Sequence, residues 1–197
     1  MKNLAKYFVV VLAVAALLTA CSKQPTQEIS DVNAAIDSVV AVGGEKYAKD
    51  ELRSLNDSLQ AAMDEVKTQD AKFLKNYDKA KEMLVKAKEE AETLKAELPA
   101  KKQAAMDSAL ASLEEAKTAV ADAKGLLAKA PRGKGSKADI EALKADITGL
   151  EASLTEVQPL IDSEDYIAAS EKAGAVKTKA ADVSAQITAA LEKVGKK

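Results

Sequence analysis

The chain has 197 residues, 29 of them lysine or arginine and 31 aspartate or glutamate; its net charge is −2, and it contains neither histidine nor tryptophan. Hydrophobic residues make up 47% but aromatic ones only 3%, so any core rests on Ala, Leu, Val and Ile, in one or two domains at this length. Charges of both signs are interspersed, without the basic stripe of a nucleic-acid binder, and no nucleic-acid partner is expected. Ala, Lys, Glu and Leu dominate, a composition that makes long helices where apolar residues recur regularly and disorder where they do not.

The first segment reads as an address. Lys2 and Lys6 give a positive start, Tyr7–Leu17 is an unbroken apolar run, and Leu18-Thr19-Ala20 leads into the single cysteine, Cys21. A positive flank, a short apolar core and small residues at the cut predict a cleaved signal peptide over residues 1–20. A membrane-spanning helix would need about 20 apolar residues. Leu18-Thr19-Ala20-Cys21 resembles the lipobox of bacterial lipoproteins. That resemblance implies a diacylglyceryl group on the Cys21 thiol, cleavage before it, and acylation of the new amine. Several acyl chains, at about 0.8 kcal/mol per buried methylene, anchor firmly where one would not. Ser22 rather than Asp after the cysteine implies, in the same family, the outer membrane and its periplasmic face. Residues 21–28 are polar, contain Pro25, and read as a short tether.

From Ile29 onward apolar residues step by threes and fours. A first helix spans about Glu28–Val42 and ends at Gly43-Gly44. Leu52, Leu55, Leu59, Ala62 and Val66 mark one face of the next. Phe73, Tyr77, Ala80, Leu84, Ala87, Ala91, Leu94 and Leu98 continue the rhythm, and Ala109, Leu113, Ala116, Val120, Ala123 and Leu127 follow. Ile140, Leu143, Ile147, Leu150, Leu154 and Val157 form a bulky stripe; Tyr166, Ala169, Ala173, Val176, Ala180, Val183, Ile187, Ala190 and Val194 form an Ala-rich one. A mean step near 3.5 over several heptads is the seam of a coiled coil or helix bundle. Pro99 either kinks a continuous helix or opens the next one. Lys129–Ser136 reads as a loop, with Ser136 and Asp139 shaped like a capping box. Pro159–Ser163 breaks the pattern before a last helix over Ser163–Val194.

The chain also reads as a duplication. Laid over each other, Leu52 falls on Ile140, Leu55 on Leu143 and Leu59 on Ile147; after a one-residue slip Tyr77 falls on Tyr166 and Leu94 on Val183. The fold expected is all-α, an elongated antiparallel helical bundle or coiled-coil hairpins, with a first unit over residues 29–98 and a second over 99–197. Ala34-Ala35 and Val42–Leu52 (Val-Gly-Gly-Glu-Lys-Tyr-Ala-Lys-Asp-Glu-Leu) resemble the Ala-rich helical domain of unknown function in many Gram-negative lipoproteins, over roughly Glu28–Leu98. Gly44 stands where that pattern has Ala and Lys49 where it has Pro. The resemblance implies a cell location and a fold and no chemistry.

No catalytic constellation is visible. Without histidine, and with its one cysteine read as lipidated, the chain lacks the commonest general base, thiol nucleophile and zinc ligands, and no enzyme activity, cofactor or metal is expected. Gly133-Lys134-Gly135-Ser136 lacks Walker spacing. Glu89, Glu90 and Glu92 read as surface partners of Lys86 and Lys88 at helical spacing. Tyr47, Tyr77 and Tyr166, near helix starts, read as packing wedges with a hydrated hydroxyl, with a ligand or glycan contact as the alternative. Lys129, Arg132, Lys134 and Lys137 either solubilise a loop tip or contact anionic envelope polymer or lipid headgroups. The terminal Lys197 is similar to the wall-attachment lysine of murein-lipoprotein-type envelope proteins, which implies a link to peptidoglycan; a basic helix end favoured by the helix dipole is the plainer reading. The expected function is a lipid-anchored envelope lipoprotein with a structural or protein-interaction role, whose partners are the membrane and possible envelope proteins or peptidoglycan. The alternative is a helical binding module for a small ligand or envelope glycan.

Overall fold

The structure is a computed structural model describing residues 23–130 and 137–195, with side-chain surroundings for 23–130 and 140–192. The described residues are 88% helical and contain no strand, so the protein is all-α. Among the described residues seven helices follow in order: α1 Thr26–Ala41, α2 Gly44–Tyr47, α3 Lys49–Asp70, α4 Asp78–Ala128, α5 Lys137–Thr155, α6 Val157–Asp162 and α7 Tyr166–Gly195. The chain divides into two compact units, Met1–Pro99 and Ala100–Lys197, with the division inside α4. Pro99 therefore sits within a continuous helix. It removes one backbone donor there, a defect a long helix can carry.

In unit 1 the core joins Val32, Ile36 and Val39 of α1, Leu52, Leu55, Leu59 and Ala62 of α3, and Leu84, Ala87, Ala91, Leu94 and Leu98 of α4. The alternation of Leu with Ala on α4 lets backbones approach closely while large neighbours fill the gaps. The turn from α1 to α3 uses two glycines for different reasons. Gly43 has φ of 101°, the left-handed conformation that a Cβ disfavours. A Cβ on Gly44 would stand 2.6 Å from Val39 Cγ1 and 2.9 Å from the Val39 carbonyl oxygen. The alanine that the lipoprotein pattern carries at this position does not fit here.

Unit 2 buries Ala109, Leu113, Ala116, Val120 and Ala123 of α4, Leu143, Ile147 and Leu150 of α5, Val157 of α6, and the stripe Tyr166, Ala169, Ala173, Val176, Ala180, Val183 and Ile187 of α7. Polar clasps tie its helices: Ser112 and Ser170 hydroxyls meet at 3.1 Å, Lys177 donates to Glu115 at 2.8 Å, and Lys124 donates to Glu151 at 2.6 Å.

Four expectations need correction. The tether is shorter, because α1 begins at Thr26. Pro25 fits just before the first turn, where no donor is needed, and its carbonyl accepts the Ile29 N–H at 3.0 Å. Phe73 belongs to no seam: it is 97% exposed, in the turn between α3 and α4. The signal was Asn76, whose side-chain oxygen accepts the Asp78 N–H at 2.8 Å and so starts a new helix. Pro159 lies inside the short helix α6 rather than in a break. The last helix starts at Tyr166, after a turn in which Glu164 takes φ of 58°. Ser136, read as a cap, lies outside the described residues.

Candidate functional site

Two features of unit 1 qualify as places where this protein meets something else. The first is the end of unit 1 that holds the first described residues. Gln24 Nε2 donates to Asp70 Oδ2 at 3.0 Å, which ties the residue before Pro25 to the last residue of α3. The Tyr77 hydroxyl donates to Asp70 Oδ1 at 2.5 Å, and the Lys75 ammonium lies 3.6 Å from the same oxygen. Tyr77 is only 2% exposed, so it is a buried wedge whose hydroxyl reaches a carboxylate rather than open water. Asp70 thus gathers Gln24, Lys75 of the turn and Tyr77, the residue before α4, at one point.

The turn itself is stiffened on both sides. The Gln69 side chain is buried: its amide donates to Glu65 at 2.7 Å and its oxygen accepts the Asn76 N–H at 3.5 Å. Lys79 donates to Glu65 at 2.9 Å from the far side. The Gln69 amide first, and the Lys79 ammonium second, hold the Glu65 carboxyl below its ordinary value, because both stabilise the charged form. Phe73 and Leu74 stand out from this braced base, 97% and 70% exposed, between Lys72 and Lys75.

The second feature is an open groove of about 480 Å³ between α3 and α4, lined by Glu51, Ser54 and Leu55 on one side and Lys86, Glu89, Glu90, Thr93, Leu94 and Glu97 on the other. Helical spacing brings the α4 residues to one face. Lys86 lies 3.7 Å from Glu90 within the groove. Lys88, expected beside Glu92, instead lies 3.6 Å from Asp31 of α1. Carboxylates with two hydroxyls on an apolar floor suit a ligand rich in hydrogen-bond donors.

The residues singled out from sequence fall as follows. Cys21 and Lys197 lie outside the described residues, as do Arg132 and Lys134. Lys129 is exposed just past the end of α4. Lys137 is the first residue of α5. Tyr47 packs against the unit 1 core, and Tyr166 is buried at the start of α7. Among the described residues no group of three or more His, Cys, Asp or Glu is placed to hold a metal ion, and no helix is long and apolar enough to cross a membrane. The exposed pair Phe73–Leu74 was missed by sequence reasoning, because Phe73 continued the step of the preceding stripe. The Lys-Phe-Leu-Lys run was the signal that could have found it. Compared with family models, curated proteins and solved structures, the chain matches none.

Proposed function

We propose that the protein is a lipid-anchored cell-envelope lipoprotein with a structural or protein-interaction role and no enzymatic activity, held by acyl chains on Cys21 at the periplasmic face of the outer membrane. The observation that carries this reading is Leu18-Thr19-Ala20-Cys21 at the end of a short apolar run with a positive flank. The short distance in sequence from Cys21 to Thr26, where helix begins, supports a folded unit standing directly on the bilayer.

We read each unit as an elongated antiparallel helical hairpin, and the two as products of duplication. In unit 1 the pairs Gln24–Asp70 and Lys79–Glu65 support this, since each joins the start of one helix to the end of another. Buried tyrosines at the starts of both α4 and α7 support the duplication. Long Ala-lined helices on an anchor offer faces to partner helices.

Replacement of Cys21 by Ser tests the anchor. The variant is expected to leave the membrane fraction of the envelope; retention in that fraction through an uncut apolar start contradicts the reading. The groove between α3 and α4 favours a second reading, a binding module for a small ligand or envelope glycan. Muropeptides that raise the melting temperature, with no protein captured by crosslinking, would select it.

A further inference from the structure

We propose that the Phe73–Leu74 turn of unit 1 is a second membrane contact: it inserts into the interfacial layer of the same bilayer that holds the acyl chains, with Lys72 and Lys75 meeting anionic headgroups. This rests on the lipid-anchor reading of Cys21. Among the described large hydrophobic residues, these two are the most exposed, and they are adjacent. Single exposed apolar side chains are ordinary on a protein surface. An aromatic and a leucine side by side on a braced turn, with a lysine on each side, have the composition of an interfacial anchor.

Position decides the occupant. Gln24 touches Asp70, and Phe73 is three residues beyond Asp70. Cys21 is three residues before Gln24, a separation that the chain can stretch to about 11 Å at most. The acylated residue and the apolar turn therefore belong to one end of unit 1. Once the acyl chains are in the bilayer, a short link holds the turn beside it at an effective concentration of order millimolar, so that even weak insertion is populated.

Charge points the same way. Residues 71–77, the turn itself, hold Lys72 and Lys75 and no acidic residue, although the whole chain carries −2. A lysine near an anionic surface strengthens binding roughly fivefold, and its long stem lets the ammonium stay at headgroup level while the chain base sinks. The turn before α7 has the opposite character: Ser163, Glu164 and Asp165 are acidic or polar, and Glu164 is clasped by Lys102 at 2.5 Å. With two contacts instead of one, unit 1 stands at a set angle to the bilayer rather than swinging on its link.

The chain has no tryptophan, so Phe73→Trp places a unique reporter at the turn, and Ser163→Trp supplies a control in the acidic turn. Each lipidated full-length variant is reconstituted in vesicles of phosphatidylethanolamine and phosphatidylglycerol, with and without brominated acyl chains. With Phe73→Trp the emission should shift to the blue and be quenched by the brominated chains; with Ser163→Trp it should do neither. Neutral phosphatidylcholine vesicles should give a smaller shift. Co-sedimentation with an indole that stays in water overturns the insertion alone. Failure to co-sediment overturns the anchor as well. A blue shift that appears only when envelope proteins are added also overturns the insertion, because the occupant is then protein.

Discussion

The two units meet the same structural problem, turning the chain into a long helix, with opposite surfaces. Unit 1 enters α4 through a turn that exposes Phe73 and Leu74 between lysines, braced below by Asp70, Tyr77 and Gln69. Unit 2 enters α7 through an acidic turn closed on backbone bonds, Ser163 N–H to the Pro159 carbonyl at 3.0 Å and Asp165 N–H to the Leu160 carbonyl at 2.7 Å. Both place a buried tyrosine at the start of the next helix. The comparison teaches that the tyrosine belongs to packing, which both units need, while the apolar tip occurs at this turn of unit 1 and not at the corresponding turn of unit 2, at the end that holds Gln24.

That contrast can be broken by perturbing each unit separately and following amide exchange in both. The largest effects should come from the cores. Leu84→Ala in unit 1 and Ile187→Ala in unit 2 remove fully buried side chains, and each should cost about 3 kcal/mol. Leu84→Ala should speed exchange in α1 and α3 and leave the far part of α7 unchanged; equal loosening of both units would show them to be one cooperative block. Gly44→Ala should cost about 2 kcal/mol, confined to unit 1, since the new methyl meets the Val39 backbone as well as its side chain. A melting temperature unmoved by that methyl would mean that the α1–α2 turn is looser than it looks.

Smaller changes sharpen the comparison of the turns. Tyr77→Phe deletes the donor to Asp70 and should cost about 1 kcal/mol in urea unfolding, because Asp70 keeps Gln24 and Lys75. Glu164→Gly should stabilise unit 2 by about 0.5 kcal/mol: relief of the left-handed backbone outweighs the loss of an exposed ion pair with Lys102. The smallest effect is a pH dependence. The Glu65 carboxyl is held below its ordinary value of 4.5 by Gln69 and then Lys79, so folding favours its charged form. Its contribution is full above about 4.5 and is lost as pH falls through the lowered folded value. Glu65→Gln should therefore flatten the acid limb of the unit 1 stability curve, measured by denaturant unfolding between neutral and strongly acidic pH.

The helices were legible because burial on a helix leaves a period in the sequence. Leu52, Leu55, Leu59, Ala62 and Val66 are all buried, as their spacing requires. The turns were less legible, because three- and four-residue steps continue by chance across a break. Phe73 kept step with Val66 and Tyr77 while pointing into water, and only the capping oxygen of Asn76 marked the restart of the helix. Pro159 misled in the other direction, since within the short α6 it adds to a helix near its start, where a missing donor costs little. The groove between α3 and α4 could not be read from sequence, because its walls meet only when two helices pack. The proposal for Cys21 rests on sequence alone, since it turns on a short apolar run and its flanks rather than on a fold.

The proposed place of this protein in the cell rests on Cys21. Mass spectrometry of the protein isolated from envelope fractions tests it most directly. The account predicts a mature N-terminal peptide that starts at Cys21 and carries a diacylglyceryl thioether and an acylated amine. A peptide that still contains residues 1–20, or one with a bare thiol at Cys21, would contradict it.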